Sequence, residues 1–275
     1  MAKNITFDTL KESAKIFDEL KDKKPLWWEY CKQDKSFYIE LRKDNQVNVY
    51  FEGGSIIRVH FCSRHKELHT FTHYKYLGIK NKTTTYINCT KTLDKQIDNI
   101  VEGIKEHYSQ KKGIDKESWS EKYIQGQLII HNRDIHLDSE FAYIDGDRDI
   151  RIDLVKCVSG KVIFVELKRL DDNRMLNKSD DNPEIVSQMR SYSDFIKKYK
   201  NKILAYYQKV YDIKKDLGLP VPAARPTIVS TEPELLIFNR WTHMDKQGRR
   251  QKRIDRMREI LQREKVTYSI INEIQ

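Results

Sequence analysis

Early in the chain, apolar and polar positions alternate with period two over three successive runs, residues 37–42, 46–51 and 55–61. Asp44-Asn45 and Gly53-Gly54 separate the runs, so the pattern predicts a three-stranded antiparallel meander. Ahead of it, Thr9 and Glu12 have capping-box spacing, and Leu10, Ala14, Phe17 and Leu20 follow at helical intervals. Residues 83–89 read as a further strand, and Leu93, Ile97, Ile100, Ile104 and Tyr108 form one face of a helix. The polar segment 109–116 then marks the expected boundary between an N-terminal unit, residues 1–112, and a second unit, residues 113–275.

The second unit opens on a helix through Trp119, Tyr123, Gln127 and Ile130, followed by a strand at 139–144 and an acidic turn at 145–149. Asn182-Pro183 predicts a helix start, with Asn as cap and Pro in the first turn, ahead of a stripe Ile185, Met189, Tyr192, Ile196 and Tyr199. A proline-rich stretch at 219–226 breaks the helical pattern. Strand-like runs at 227–230 and 235–238, a basic helix and a last strand at 266–271 complete the chain. The expected class is α/β of the α+β kind: a mixed sheet flanked by helices, preceded by the meander unit.

Between strand and helix lies the run that carries chemistry, residues 151–168. Ser159-Gly160 is its only turn signal, and β-branched residues flank it on both sides. A loop centred there pairs Val158 with Lys161, Val155 with Phe164, Asp153 with Glu166 and Arg151 with Lys168. On the second strand Val162, Phe164, Glu166 and Lys168 share one face, while Ile163, Val165 and Leu167 share the other. Both faces are apolar until the strand ends, which predicts a central strand covered on both sides. Directly opposed side chains stand about 4.5–5.5 Å apart at Cβ, and like charges there repel. The pair Asp153 and Glu166 therefore calls for a cation. Mg²⁺ suits it, a hard ion that takes carboxylate oxygens and pairs with phosphate, and Mn²⁺ can substitute. Asp153, Glu166 and the Leu167 carbonyl are the expected metal ligands. Lys168 is placed to hold or deprotonate a water, or to neutralise charge developing on a phosphate.

Charge sharpens the picture. The chain has 275 residues, with 51 Lys and Arg against 41 Asp and Glu, a net charge of +10. That excess favours a polyanionic partner, nucleic acid first and an anionic membrane second. No apolar run approaches the roughly 18 residues needed to span a bilayer, and the first residues do not resemble a signal peptide. Cys31, Cys62, Cys89 and Cys157 are widely spaced with no CxxC pair, which suits a reducing, cytoplasmic setting.

At Asp153, Glu166 and Lys168 the chain resembles the PD-(D/E)XK nuclease superfamily, with Ile152 standing where a proline is usually written. Gln188 and Tyr192, four apart and so on one helical face, are similar to the QxxxY pair of its RecB-like branch. Glu140, on the strand before Asp153, matches an acid often found there in that branch. For the branch's histidine on the first helix, the nearest candidate is His131. Over about residues 116–240 the resemblance implies a restriction-endonuclease-like core of helix, three-stranded meander, helix and closing strand. It implies Asp153 as metal ligand, Glu166 as the Asp/Glu, Lys168 as catalytic lysine, and Gln188 and Tyr192 as groups positioning the site and the DNA backbone. The expected function is a metal-dependent nuclease hydrolysing DNA, in phage defence, restriction or repair. A non-cleaving DNA-binding or partner-sensing module and an RNA nuclease are the alternatives, and a homodimer or a separate partner protein is left open.

Other features weigh less. Residues 145–149 imitate the start of a calcium loop, but Ile150 and Lys156 stand where an EF-hand needs glycine and an acid, so a turn is expected. His60, Cys62, His65, His69 and His73 cluster in sequence, yet match no standard zinc spacing; surface or nucleic-acid contact is the preferred reading. Arg249, Arg250, Lys252 and Arg253 on the basic helix are candidates for phosphate contact. Trp27 and Trp28 are expected to pack in the core rather than stack on bases.

Overall fold

Two sheets organise the chain in the computed structural model, which describes residues 7, 9–77, 86–109, 120–175, 183–239 and 248–274. The expected meander is present as β1 (Phe37–Arg42), β2 (Gln46–Phe51) and β3 (Gly54–Cys62). It continues through β4 (Glu67–His73) and β5 (Tyr86–Asn88) into a five-stranded antiparallel sheet in the order β1-β2-β3-β4-β5. β4 escaped prediction because the turn before it contains no Gly, Pro, Asn or Asp. Lys66, at φ 54°, supplies the left-handed corner instead.

Helices α1 (Lys15–Lys23), α2 (Leu26–Gln33) and α3 (Leu93–Ser109) cover this sheet. The Thr9–Glu12 capping box does not form. The Lys11 amide bonds to the Asn45 side chain at 2.7 Å, and the helix starts only after Ala14. Leu10, Phe17 and Leu20 are buried as the pattern required, and so are Trp27 and Trp28.

The second sheet belongs to α4 (Glu121–His131), β6 (His136–Asp145), β7 (Arg148–Val158), β8 (Lys161–Arg169), α5 (Glu184–Asp216), β9 (Ile228–Val229), β10 (Glu234–Phe238), α6 (Arg249–Arg263) and β11 (Tyr268–Ile271). Its strand order is β11-β10-β8-β7-β6, with β9 also beside β8. β6, β7 and β8 are antiparallel; β9 and β10 run parallel to β8, and β11 parallel to β10. The class is α+β, and helix, meander, helix and closing strand follow the order that the resemblance implied. β8 is central and buried from Val162 to Lys168. Its two faces part as expected: Val162 and Phe164 join the main core, while Ile163 and Val165 pack with Leu154 and Ile129.

Three expectations are corrected or limited. α5 is a single helix of 33 residues, far longer than its sequence stripe, and Pro183 precedes it rather than sitting in its first turn. Asn182, Trp119 and most of the expected boundary at 109–116 lie outside the described residues. The β7–β8 ladder follows the expected register from Val158↔Lys161 to Leu154↔Val165 and stops there, so Asp153↔Glu166 and Arg151↔Lys168 are not ladder pairs.

One contiguous apolar cluster takes Leu20 and Val49 from the first sheet's layer together with Phe164, Tyr207 and Leu261 from the second. Backbone contact strengthens this join. A Cβ on Gly126 of α4 would stand 2.4 Å from the Gly53 nitrogen, and Gly53 itself has φ +83°. Only glycine lets the helix sit this close to the β2–β3 turn. That seat fixes α4, whose first turns face the end of β8.

Candidate active site

The acid–lysine cluster forms where β7 and β8 stop pairing. Losing the ladder frees polar groups that must be satisfied otherwise, and side chains do so. Asp153 Oδ2 accepts the Leu167 amide at 2.8 Å, and the Asp153 carbonyl accepts Gln125 Nε2 at 2.6 Å. On the other side of β7, pairing runs through Ser139↔Leu154 and Phe141↔Ile152, and Glu140 between them takes a left-handed φ of 53°. Non-glycine residues seldom hold that conformation within a strand.

Lys168 and Glu166 point into this gap and are almost fully buried. The Lys168 ammonium bonds to Glu166 Oε1 and to the Leu167 carbonyl at 2.9 Å. Asp153 Oδ2 lies 3.8 Å from it and Glu121 Oε1 4.0 Å. Lys168 therefore brings one positive charge between the acids. One ammonium faces three carboxylates, and Arg174 adds positive charge near Glu121 and Glu166.

From α5, Gln188 Nε2 donates to Glu166 Oε1 at 2.9 Å and lies 2.6 Å from the Tyr192 hydroxyl. The Tyr192 hydroxyl in turn donates to the Arg151 carbonyl, another group freed by the end of the ladder. Gln188 and Tyr192 thus brace Glu166 and the unpaired strand at once.

Burial raises the Glu166 carboxyl to about 7, reinforced by Asp153 beside it and only partly offset by Lys168. Burial also raises Asp153 and Glu121, although Lys168 opposes the rise in both. Two buried atoms here have no hydrogen-bond partner, Glu166 Oε2 and Gln188 Oε1. An unpartnered buried carboxylate oxygen is costly. Asp153, Glu166 and the Leu167 carbonyl offer only oxygen donors, which suit a hard divalent ion. The residues present therefore fit Mg²⁺ or Mn²⁺.

Glu140 stands at the rim, where Tyr50 donates to it at 3.3 Å and Lys122 approaches at 3.7 Å. Sequence reasoning missed Glu121 and Gln125. Their i, i+4 spacing on α4 was the available signal, one face of a helix directed at the strand exit. His131 is at the opposite end of α4, against the Gln127 carbonyl. The turn at 145–149 is a turn, with Asp145 bound by Lys198 and Tyr199 at 2.7 and 2.8 Å. A cavity of about 620 Å³ lies elsewhere, on the face of the sheet bearing Leu154, Val165 and Leu236.

The basic helix α6 presents a divided picture. Arg253 donates to the carbonyls of Leu170 and Asp172 at 2.9 and 2.7 Å, and Arg250 to Asn239. These two guanidiniums anchor α6 to the loop after β8 and to the end of β10. Arg249 and Lys252 are exposed.

Comparison with family models, curated proteins and solved structures found no match for this chain. No described helix is long and apolar enough to cross a membrane.

Proposed function

We propose that this chain is a metal-dependent nuclease that hydrolyses phosphodiester bonds, with DNA as its substrate. The observation that carries the reading is the Glu166 carboxylate, buried with one oxygen unpartnered and set with Asp153 and Glu121 around Lys168 at the exit of a central strand. Such spending of stability on buried like charge points to function rather than packing. Asp153, Glu166 and the Leu167 carbonyl would hold the metal, which supplies Lewis acidity and lowers the pKa of a bound water. Gln188 fixes the Glu166 oxygen that faces Lys168, leaving the other available. Lys168, beside the same carboxylate, would neutralise charge on the phosphate or orient water. Asp153 and Glu121 are partly exposed and open the cluster to solvent, where a metal could enter. The resemblance to the PD-(D/E)XK superfamily, together with the net charge of +10, directs the choice of DNA.

The test incubates purified protein with labelled duplex DNA, single-stranded DNA and RNA in Mg²⁺, Mn²⁺ or EDTA. DNA cleavage is expected with either metal and none in EDTA, with loss in Glu166→Ala and Lys168→Ala. Metal uptake must displace the Glu166 proton, so activity should climb as pH rises through about 7. Cleavage of RNA alone would move the substrate class. DNA binding without cleavage under any metal would overturn the enzyme reading in favour of a binding module.

A further inference from the structure

The β3–β4 hairpin carries donors that the acid cluster does not use. Alternation sends Ile57, Val59, Leu68, Thr70 and Thr72 to the core. It leaves His60, Cys62, Glu67 and His69 on the opposite face, with His60 across from His69 and Cys62 across from Glu67. The turn then folds His65 back over this face. Its ring stacks on His69 with centroids 5.2 Å apart, and its Nδ1 lies 3.2 Å from Cys62 Sγ. One donor atom from each of Cys62, His65 and His69 lies within 4.8 Å of the other two.

Those separations approach what a tetrahedral centre requires. With Zn–S near 2.3 Å and Zn–N near 2.0–2.1 Å, donors stand roughly 3.3–3.7 Å apart. Glu67 Oε1 is 3.4 Å from His69 Nε2, a carboxylate where metal-binding imidazoles commonly have one. The three donors lie within eight residues of one chain segment, at a spacing that matches no standard zinc signature, so the fold rather than the spacing marks the site. Here the third donor arrives by cross-strand register and the second by a turn.

We propose that Cys62, His65 and His69 form a site for a borderline divalent ion of the zinc class, with its fourth position toward solvent. Thiolate and imidazole select against Mg²⁺, so the two sets of donors in this chain sort two kinds of metal. The ion would tie the end of β3, the turn and β4 together, independently of what happens at Glu166.

Co²⁺ tests this on the full chain, stripped of metal and kept in excess Mg²⁺ so that oxygen sites are filled. One equivalent should bind and give an intense thiolate-to-cobalt charge-transfer band. Cys62→Ser should abolish that band, and His69→Ala should weaken binding at least about tenfold. A second measurement needs no variant. Cys31, Cys89 and Cys157 are buried, so Cys62 is the thiol open to alkylation, and one equivalent of Zn²⁺ should slow its modification at least about tenfold. Absence of a thiolate band, a spectrum unchanged by Cys62→Ser, or alkylation unaffected by Zn²⁺ would each overturn the site.

Discussion

Glu40 and Glu166 are equally buried, at 0% and 2% exposure, yet their carboxyls are driven in opposite directions. Burial would raise Glu40 as it raises Glu166, but Lys214 and His136 more than offset it and bring Glu40 down to about 2. Glu166 is pushed up to about 7. The surroundings explain the contrast. Both Glu40 oxygens are bonded, one to Lys214 at 2.6 Å and the other to His136 at 2.6 Å. Its neighbour Asp138 accepts Arg42 at 2.9 Å, the Ser139 amide at 2.8 Å and the Tyr207 hydroxyl at 3.3 Å. At the other cluster three acids share one lysine, and an oxygen of Glu166 has no partner. The same helix, α5, serves both: Gln188 near its start touches Glu166, and Lys214 near its end touches Glu40. A balanced network joins the two sheets; an unbalanced one lies at the exit of β8.

Breaking the balanced network should have the largest effect on stability. Glu40→Gln leaves the Lys214 ammonium buried without its counter-charge, which typically costs about 3–5 kcal/mol. Replacing both residues, Glu40→Gln with Lys214→Met, should recover most of that loss. Urea unfolding of the two variants decides it, and equal stability of Glu40→Gln and wild type would end the structural reading of this network. The sign with pH follows from the lowered carboxyl. Its contribution is present above the ordinary carboxylate range near 4.5 and is lost as pH falls toward 2.

The unbalanced cluster should behave the other way. Because the Glu166 carboxyl is raised, its contribution is full below about 4.5 and is lost as pH rises through about 7. Wild type in EDTA should therefore lose about 2–3 kcal/mol from this group between pH 4.5 and pH 8. Glu166→Gln should show little of that loss, although it should also abolish cleavage. Identical pH–stability curves for the two proteins would mean that Glu166 is an ordinary structural acid.

This contrast marks what was legible in the chain. Asp153, Glu166 and Lys168 could be brought together from the Ser159-Gly160 turn and period-two alternation, because register needs only a turn and a pattern. The end of the ladder at Leu154 could not, since it depends on Gln125 and Tyr192 capturing backbone carbonyls from two separate helices. Glu40, Asp138 and Lys214 gave no signal either. They lie far apart in the chain, and buried ion pairs leave no local periodicity. The capping box at Thr9 failed for a similar reason, a tertiary bond from Asn45 that local spacing cannot contain.

Gln188 and Tyr192 sharpen the comparison at smaller scale. Gln188→Ala should reduce turnover about 10–100-fold with little change in Tm, because it loosens Glu166 without opening a cavity in the core. Tyr192→Phe keeps the ring and loses the bond to the Arg151 carbonyl, a cost of about 1–3 kcal/mol for an acceptor left unsatisfied. Kinetics and melting of both variants test this division, which fails if Gln188→Ala turns over like wild type.

The smallest effects are expected on α6, where the same contrast between committed and available charge recurs. Arg253 is partly buried and spends its donors on two loop carbonyls, so Arg253→Ala should cost stability and leave phosphate binding largely intact. Lys252 is exposed on that helix. If it touches one phosphate, Lys252→Ala should flatten the log–log dependence of duplex-DNA affinity on salt by about 0.9, whatever the DNA sequence. Sequence preference should not change, because backbone contacts carry no base information. Titrations at several salt concentrations separate the two arginine and lysine roles. A slope altered by Arg253→Ala and untouched by Lys252→Ala would invert the assignment and place the phosphate contact on the helix's anchored side.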